Sequence, residues 1–354
     1  MRTIRSLKVS TLILFSLSGA VAQTPTARIV GSANAFLATL DQKQRESVLF
    51  AFDDEQQRAR WSNLPAPIVS RAGLTLGELS APQRAAALSL MSSVLSQKGF
   101  EKVQQIMEAD EALKTNQGGP AKGKGGGKGG GKGGGGAMFG KDIYYISILG
   151  TPSPTNPWML QFGGHHLALN ITIAGARGIL TPSLTGAQPA VYTVNGKTIR
   201  PLAGESDKAL ALLNALDENQ RKQAILSFRV SDLVLGPGQD GKTIQPEGLK
   251  ASSMNEKERA MLLDVIAEWA GIVHDTAATA RMAELKADLD NTWFAWSGPT
   301  TATAGSGITA YYRIQGPHLV IEYAPQQMGG DPSMHIHAMY RDPTNDYGRK
   351  PAAK

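Results

Sequence analysis

The chain has 354 residues, six histidines, no cysteine and a formal net charge of +6. The length admits one large domain or two smaller ones. Without cysteine there can be no disulfide, thiolate metal site or thiol nucleophile. Three of the positive charges (Arg2, Arg5, Lys8) sit in the first residues and four (Lys122, Lys124, Lys128, Lys132) in a glycine tract, so the remainder carries −1. A near-neutral body lacks the basic footprint of a nucleic-acid binder.

Residues 1–22 read as a secretory leader. A basic start is followed by the short apolar run Val9 to Val21 and by Ala20-Val21-Ala22, an A-x-A cleavage pattern. The run is shorter than the ~18–20 residues that span a bilayer, so the mature chain is expected to begin near Gln23 outside the cytoplasm.

Residues 23–116 read as the helical part of the domain. Phe36, Leu37, Leu40, Val48, Leu49 and Phe52 recur at helical spacing. A proline-bearing connection runs from Trp61 to Pro67, and further helices follow to about Leu113. One phrase recurs: Leu40-Asp41-x-x-Gln44-Arg45, Leu79-Ser80-x-x-Gln83-Arg84, Leu216-Asp217-x-x-Gln220-Arg221 and Met254-Asn255-x-x-Glu258-Arg259. Each pairs a capping residue with Gln or Glu three positions later, which explains it as a capping box with a hydrophobic staple. The spacings of 39, 137 and 38 residues form no regular array.

Residues 117–136 are a Gly/Lys tract that cannot bury apolar surface and reads as a solvated loop. Its lysines, Lys122, Lys124, Lys128 and Lys132, offer a weak contact to anionic surfaces. It lacks the order of a phosphate loop.

Residues 137–354 turn to strands, continuing the same domain. Asp142 to Leu149 is strongly β-forming. Trp158 to Phe162, His165 to Ala174 and Gly178 to Thr185 follow, and Asn195-Gly196 marks a hairpin. Helices are expected at Glu205 to Leu216, Glu218 to Phe228, Glu256 to His274 and Ala277 to Asp288. Strands close the chain at Asn291 to Trp296, Thr309 to Ile314, His318 to Tyr323 and Met334 to Tyr340. Strands grouped in hairpins predict an α+β fold, an antiparallel sheet core with packed helices.

The chemistry concentrates near the C-terminus. On a strand, alternate residues share a face, so His335, His337, Met339 and Arg341 point one way. His-x-His on one strand can ligate a metal. Upstream, alternation puts His165 toward the core with Leu167, and His166 on a polar stripe with Asn170 and Thr172. The expected site therefore takes His166, His335 and His337 as metal ligands. Glu322 is expected as a further ligand or base and Arg341 as the holder of an anionic substrate group. His165, Asn170, Asp342, Asn345 and Asp346 are candidate ligand-binding residues. Asp342-Pro343 and Asn345-Asp346 equally suit a turn fixed by Arg341. Three imidazoles suit Zn²⁺ or Cu²⁺, and two with a carboxylate suit Fe²⁺ or Zn²⁺. No nucleophile elbow and no His-Glu-x-x-His helix occurs.

The chain resembles a family of secreted proteins known as a domain of unknown function, number 3500. The resemblance rests on the Gln-Arg helices, Tyr144-Tyr145, Gly164-His165-His166-Leu167-Ala168-Leu169-Asn170, Thr181-Pro182, Phe294-Ala295-Trp296, Tyr311 to Pro317, Ile321-Glu322-Tyr323, His335-Ile336-His337 and Arg341 to Gly348. It spans nearly the whole mature chain and implies that both histidine motifs belong to one fold. It implies no activity. The departures are the Gly/Lys tract, which looks like an insertion, and a tail ending at Lys354 where relatives run on to another histidine. The expected function is a metal-dependent extracytoplasmic hydrolase. The alternative is a non-catalytic periplasmic protein binding a small ligand or associating with the envelope through the same face.

Overall fold

The computed structural model describes residues 24–66, 68–118, 138–328 and 330–349. Residues 1–23, expected to hold a leader, and the Gly/Lys tract from residue 119 onward lie outside them. The architecture is α+β, as expected. Among the described residues, no helix is long and apolar enough to cross a membrane.

The chain lays down one set of elements and then repeats it. The first set is α1 (Pro25–Ala38), α2 (Gln42–Val48), β1 (Leu49–Phe50), α3 (Glu55–Arg58), β2 (Leu74–Thr75), α4 (Ala81–Val94) and α5 (Gln97–Gly118). It continues with β3 (Tyr145–Leu149), β4 (Trp158–Gly164), β5 (Leu167–Ala174) and β6 (Arg177–Ala187). A small hairpin follows, β7 (Tyr192–Val194) with β8 (Lys197–Ile199). The second set is α6 (Ala203–Ala215), α7 (Glu218–Ala224), β9 (Leu249–Lys250), α8 (Glu256–Ala270), α9 (Asp275–Ala287) and β10 (Trp293–Ser297). A second small hairpin, β11 (Ala302–Thr303) with β12 (Gly307–Ile308), precedes β13 (Tyr311–Gly316), β14 (Leu319–Pro325) and β15 (Ile336–Arg341).

The main sheet runs β1-β3-β4-β5-β6-β15-β14-β13-β10-β9, with β2 also on β3. Read from its centre, this order is the same in both directions. β3 pairs in parallel with β1 and antiparallel with β2. Its counterpart β10 bridges in parallel to Ile225 and pairs antiparallel with β9. The halves meet along the antiparallel seam of β6 and β15, and again in the helical layer, where Leu95 bridges Val273. The two halves are thus related by an approximate two-fold axis through the seam.

All four repeated phrases form capping boxes, at Asp41, Ser80, Asp217 and Asn255. They also mark equivalent helices of the two halves. Gln44 bonds to Gln83 in the first, and Gln220 to Glu258 in the second. The irregular spacing that argues against an array conceals a two-unit repeat. The α7 helix stops at Ala224, short of Phe228, because Ile225 leaves it for the sheet.

One face of the sheet packs on the helices. Ile146, Leu160, Phe162 and Leu169 join Ile29, Phe36, Leu90 and Ile106 in one buried cluster, and Tyr312, Ile321 and Ala338 join Leu212, Val265 and Trp269 in another. At roughly 1.5–3 kcal/mol per large apolar side chain, these layers dominate the stabilisation. The opposite face is covered by two loops, residues 51–73 and 226–248, and by the C-terminal turn, around Trp61, Met159, Leu184, Met339 and Tyr347.

Candidate metal centre

Three elements bring the histidines together. His335 and His337 lie at the start of β15, with His337 opposite Gly186 of β6. His166 sits in the two-residue turn between β4 and β5, where Gly164 pairs with Leu167. The expected strand from His165 therefore begins only at Leu167. The turn needs one residue with positive φ, and His166 supplies it at +60°. Histidine is one of the few non-glycine residues enriched there. Glycine at 164 is required by contact, since a Cβ would fall 2.9 Å from the Tyr144 ring. Glycine at 186 leaves room for the His166 side chain, 3.3 Å from where a Cβ would stand.

The two turn histidines lie ring against ring, with centroids 3.7 Å apart, but reach different partners. His165 Nδ1 meets Asp110 Oδ1 of α5 at 2.6 Å, and Asp110 Oδ2 accepts from the Gly140 amide at 2.9 Å. His166 turns to the loop face. Its Nε2 lies 2.9 Å from His335 Nε2, which lies 3.2 Å from His337 Nε2. All three rings are buried, and one nitrogen from each falls within 4.8 Å of the others.

Neighbours fix the rings. His335 Nδ1 is 2.7 Å from the Met328 carbonyl, which can only accept, so Nδ1 carries the proton and Nε2 presents a lone pair. Asn63 Nδ2 lies 3.3 Å from both ring nitrogens of His337, and Asp232 Oδ1 lies 3.8 Å from its Nδ1. Gln326 donates to the same Asp232 oxygen. The Asn63 carbonyl accepts from the His166 amide. Burial, reinforced by the imidazoles of His165, His337 and His335, holds the His166 pKa well below its ordinary value. Burial also brings His335 down to about 4. Both rings are thus neutral near pH 7, the form in which imidazole ligates.

The donor set fits a metal ion. Zn–N bonds of about 2.0–2.1 Å in tetrahedral geometry place ligand nitrogens about 3.3 Å apart, close to the 2.9 and 3.2 Å that separate His335 from its two partners, with all three within 4.8 Å. Around the triad, Leu64, Val234 and Met328 are exposed apolar side chains on the same three loops.

The other expected site residues lie elsewhere. Glu322 is fully buried, with Oε1 accepting from the Val234 amide and Tyr311 hydroxyl and Oε2 from the Leu235 amide, each at 2.7 Å. It shares a face with His337 but is consumed by the covering loop, so it does not join the triad. Arg341 donates to the carbonyls of Leu235 and Gly236 and to Asp240 and Asp346. That leaves it tying loop to turn rather than facing a substrate. Asn170 accepts from Gln161 and donates to the Pro182 carbonyl. Asp342 caps Thr344 and pairs with Arg281. Asp346 accepts from Thr181 as well as Arg341, and the Asn345 amide donates to the Asp342 carbonyl. Asn170 thus ties β4 to β6, and the other three serve the turn. Two histidines remain. His274 caps α9, and His318 occupies the β13–β14 turn, the counterpart of the His166 turn, where it meets Thr344.

Sequence reasoning missed Asn63, Asp232 and Asp110. Asp110 carried a signal, an acid on the helical stripe Val103, Ile106, Met107, Leu113 that α5 buries. Asn63 and Asp232 stand in irregular loops with no periodicity to read.

A family model described as "Protein of unknown function (DUF3500)" matches residues 22–349. No curated protein and no solved structure matches the chain.

Proposed function

The chain belongs to the DUF3500 family, whose description assigns no activity, and we propose that it is an extracytoplasmic metal-dependent hydrolase. The observation that carries this is the convergence of three buried imidazole nitrogens from two distant segments. His166, His335 and His337 would hold the ion. With Glu322 consumed by the loop, the donor set is all-imidazole and favours Zn²⁺ over Fe²⁺. Bound there, such an ion supplies Lewis acidity and an acidified water. The Met328 carbonyl holds His335 in its ligating tautomer. Asn63 and Asp232 orient His337, the outer support that metal-binding histidines require. A leader-like stretch over residues 1–22, followed by a family match opening at residue 22, supports a place outside the cytoplasm.

The test is metal analysis of untagged protein with a chelator-sensitive assay on ester, amide and phosphoester probes. About one equivalent of metal, lost in the His335→Ala/His337→Ala double variant, is expected together with turnover. No stoichiometric metal, with melting unchanged in the double variant, would sink the metal centre. Stoichiometric metal without hydrolysis of any probe would favour the non-catalytic binding protein.

A further inference from the structure

Beneath the loop that carries Asn63, a cavity opens on the same face of the sheet as the triad. Arg60, Trp61 and Arg71 line it from the loop, and Ser147, Gln161 and Asn170 from the strands. It holds about 20 Å³ of solvent-sized room, enough for a water or the oxygens of one small group. No aspartate or glutamate lines it.

Neither arginine makes an ion pair with a carboxylate among the described residues, although Asp110 acts on Arg71 from a distance. Arg71 spends its nitrogens on backbone carbonyls: Nη1 on Val69, and Nη2 on Ser62, Leu64 and Gly164. No carboxylate pairs with it, and burial pulls its pKa below the ordinary value. Arg60 makes no side-chain hydrogen bond or ion pair among the described residues. A half-buried guanidinium without a paired anion is incompletely compensated, and its fork matches the two oxygens of a carboxylate or phosphate.

The second half of the molecule shows what belongs in this place. The cross-strand pair Gln161–Asn170 of β4 and β5 corresponds to Arg313–Glu322 of β13 and β14. There the fold supplies its own carboxylate. Glu322 is buried beneath the covering loop and takes two loop amides. In the first half the matching residue is the neutral Asn170, and the nearby cations have no paired carboxylate.

We infer that this cavity binds a small oxyanion, the carboxylate or phosphate end of the molecule handled at the triad. The stretch 60–63 links the two places, giving Arg60 and Trp61 to the cavity and Asn63 to His337. Arg71 also grips the Gly164 carbonyl, beside the turn that carries His166. The connection to the triad rests on the proposed function; the anion site stands on its own residues.

The experiment uses the full chain stripped of metal, titrated with acetate and separately with inorganic phosphate, against chloride at equal ionic strength, by calorimetry and amide chemical shifts. Saturable binding beyond chloride is expected, weakened at least tenfold in Arg60→Gln, which removes no internal contact. Arg71→Lys tests the fork itself, and Arg60→Gln carries the test if that variant fails to fold. Binding of acetate alone identifies a carboxylate, of phosphate alone a phosphate. No binding beyond chloride, or equal binding in wild type and Arg60→Gln, overturns the inference. Anion binding that persists in a protein shown to take up no metal upholds the cavity and refutes the metal centre separately.

Discussion

Arg341→Met separates a structural arginine from a substrate-holding one. Arg341 is 1 % exposed and fully occupied by two carbonyls and two aspartates. Methionine fills comparable volume but leaves the Leu235 and Gly236 carbonyls and Asp346 without their donor. Removing one partner of a buried pair costs about 3–5 kcal/mol. Asp240 is partly exposed and recovers water, so the lower half of that range is the better expectation. Unfolding entropy near 2.1 cal/mol/K per residue gives roughly 0.7 kcal/mol/K for 354 residues. The thermal midpoint should therefore fall by about 4–6 °C. Calorimetric melting read beside metal content per folded chain is the assay, and metal content should be unchanged. An unchanged midpoint combined with lost turnover would refute this reasoning and return Arg341 to a substrate role.

Three further outcomes follow from the geometry. Asn63→Ala should weaken metal binding about 10–100-fold, the usual cost of losing an outer support, with melting of the metal-free protein little changed; equal affinity in competition titrations would contradict the role given to Asn63. The Glu268 carboxyl is buried, which alone would raise its pKa, but Lys102, Lys208 and Lys98 bring it down to about 2. Its folded value lies below the unfolded one, so its contribution is complete above about pH 4.3 and lost as pH falls toward 2. The stability gap between wild type and Glu268→Gln should shrink over that window, and a gap constant with pH would count against it. Asp41→Ala and Asp217→Ala, caps at equivalent points of the two halves, should each cost about 1 kcal/mol in denaturant unfolding; a cost at one cap only would break the equivalence.

Much of the site was legible because β-strand alternation is a rigid rule. It put His337, Met339 and Arg341 on one face, and they lie there. It also expected His165 and His166 on opposite sides, but the pair forms a turn, where alternation does not apply, and the two rings lie 3.7 Å apart. What alternation cannot say is where a long side chain ends. Glu322 and Arg341 leave the correct face and are captured by residues 234–240, whose loop no local pattern predicts. The turn itself was hidden because its positive-φ position holds histidine where Asn or Gly would have announced it. The α+β class followed from hairpin-grouped strands. The two-fold repeat escaped because a capping box explains itself locally, and because the Gly/Lys tract lengthens one half and upsets the spacing.

The three imidazoles have divided parentage. His166 belongs to the first half and His335 and His337 to the second, and they meet only once β6 and β15 have zipped together. Neither half alone can assemble the centre. An ion held there would act as a clasp across the join, adding to the strand pair, the helical bridge and the ion pairs of Lys98 and Lys102 with Glu268 that already hold the two units together. A chain whose seam had not formed would hold no such ion.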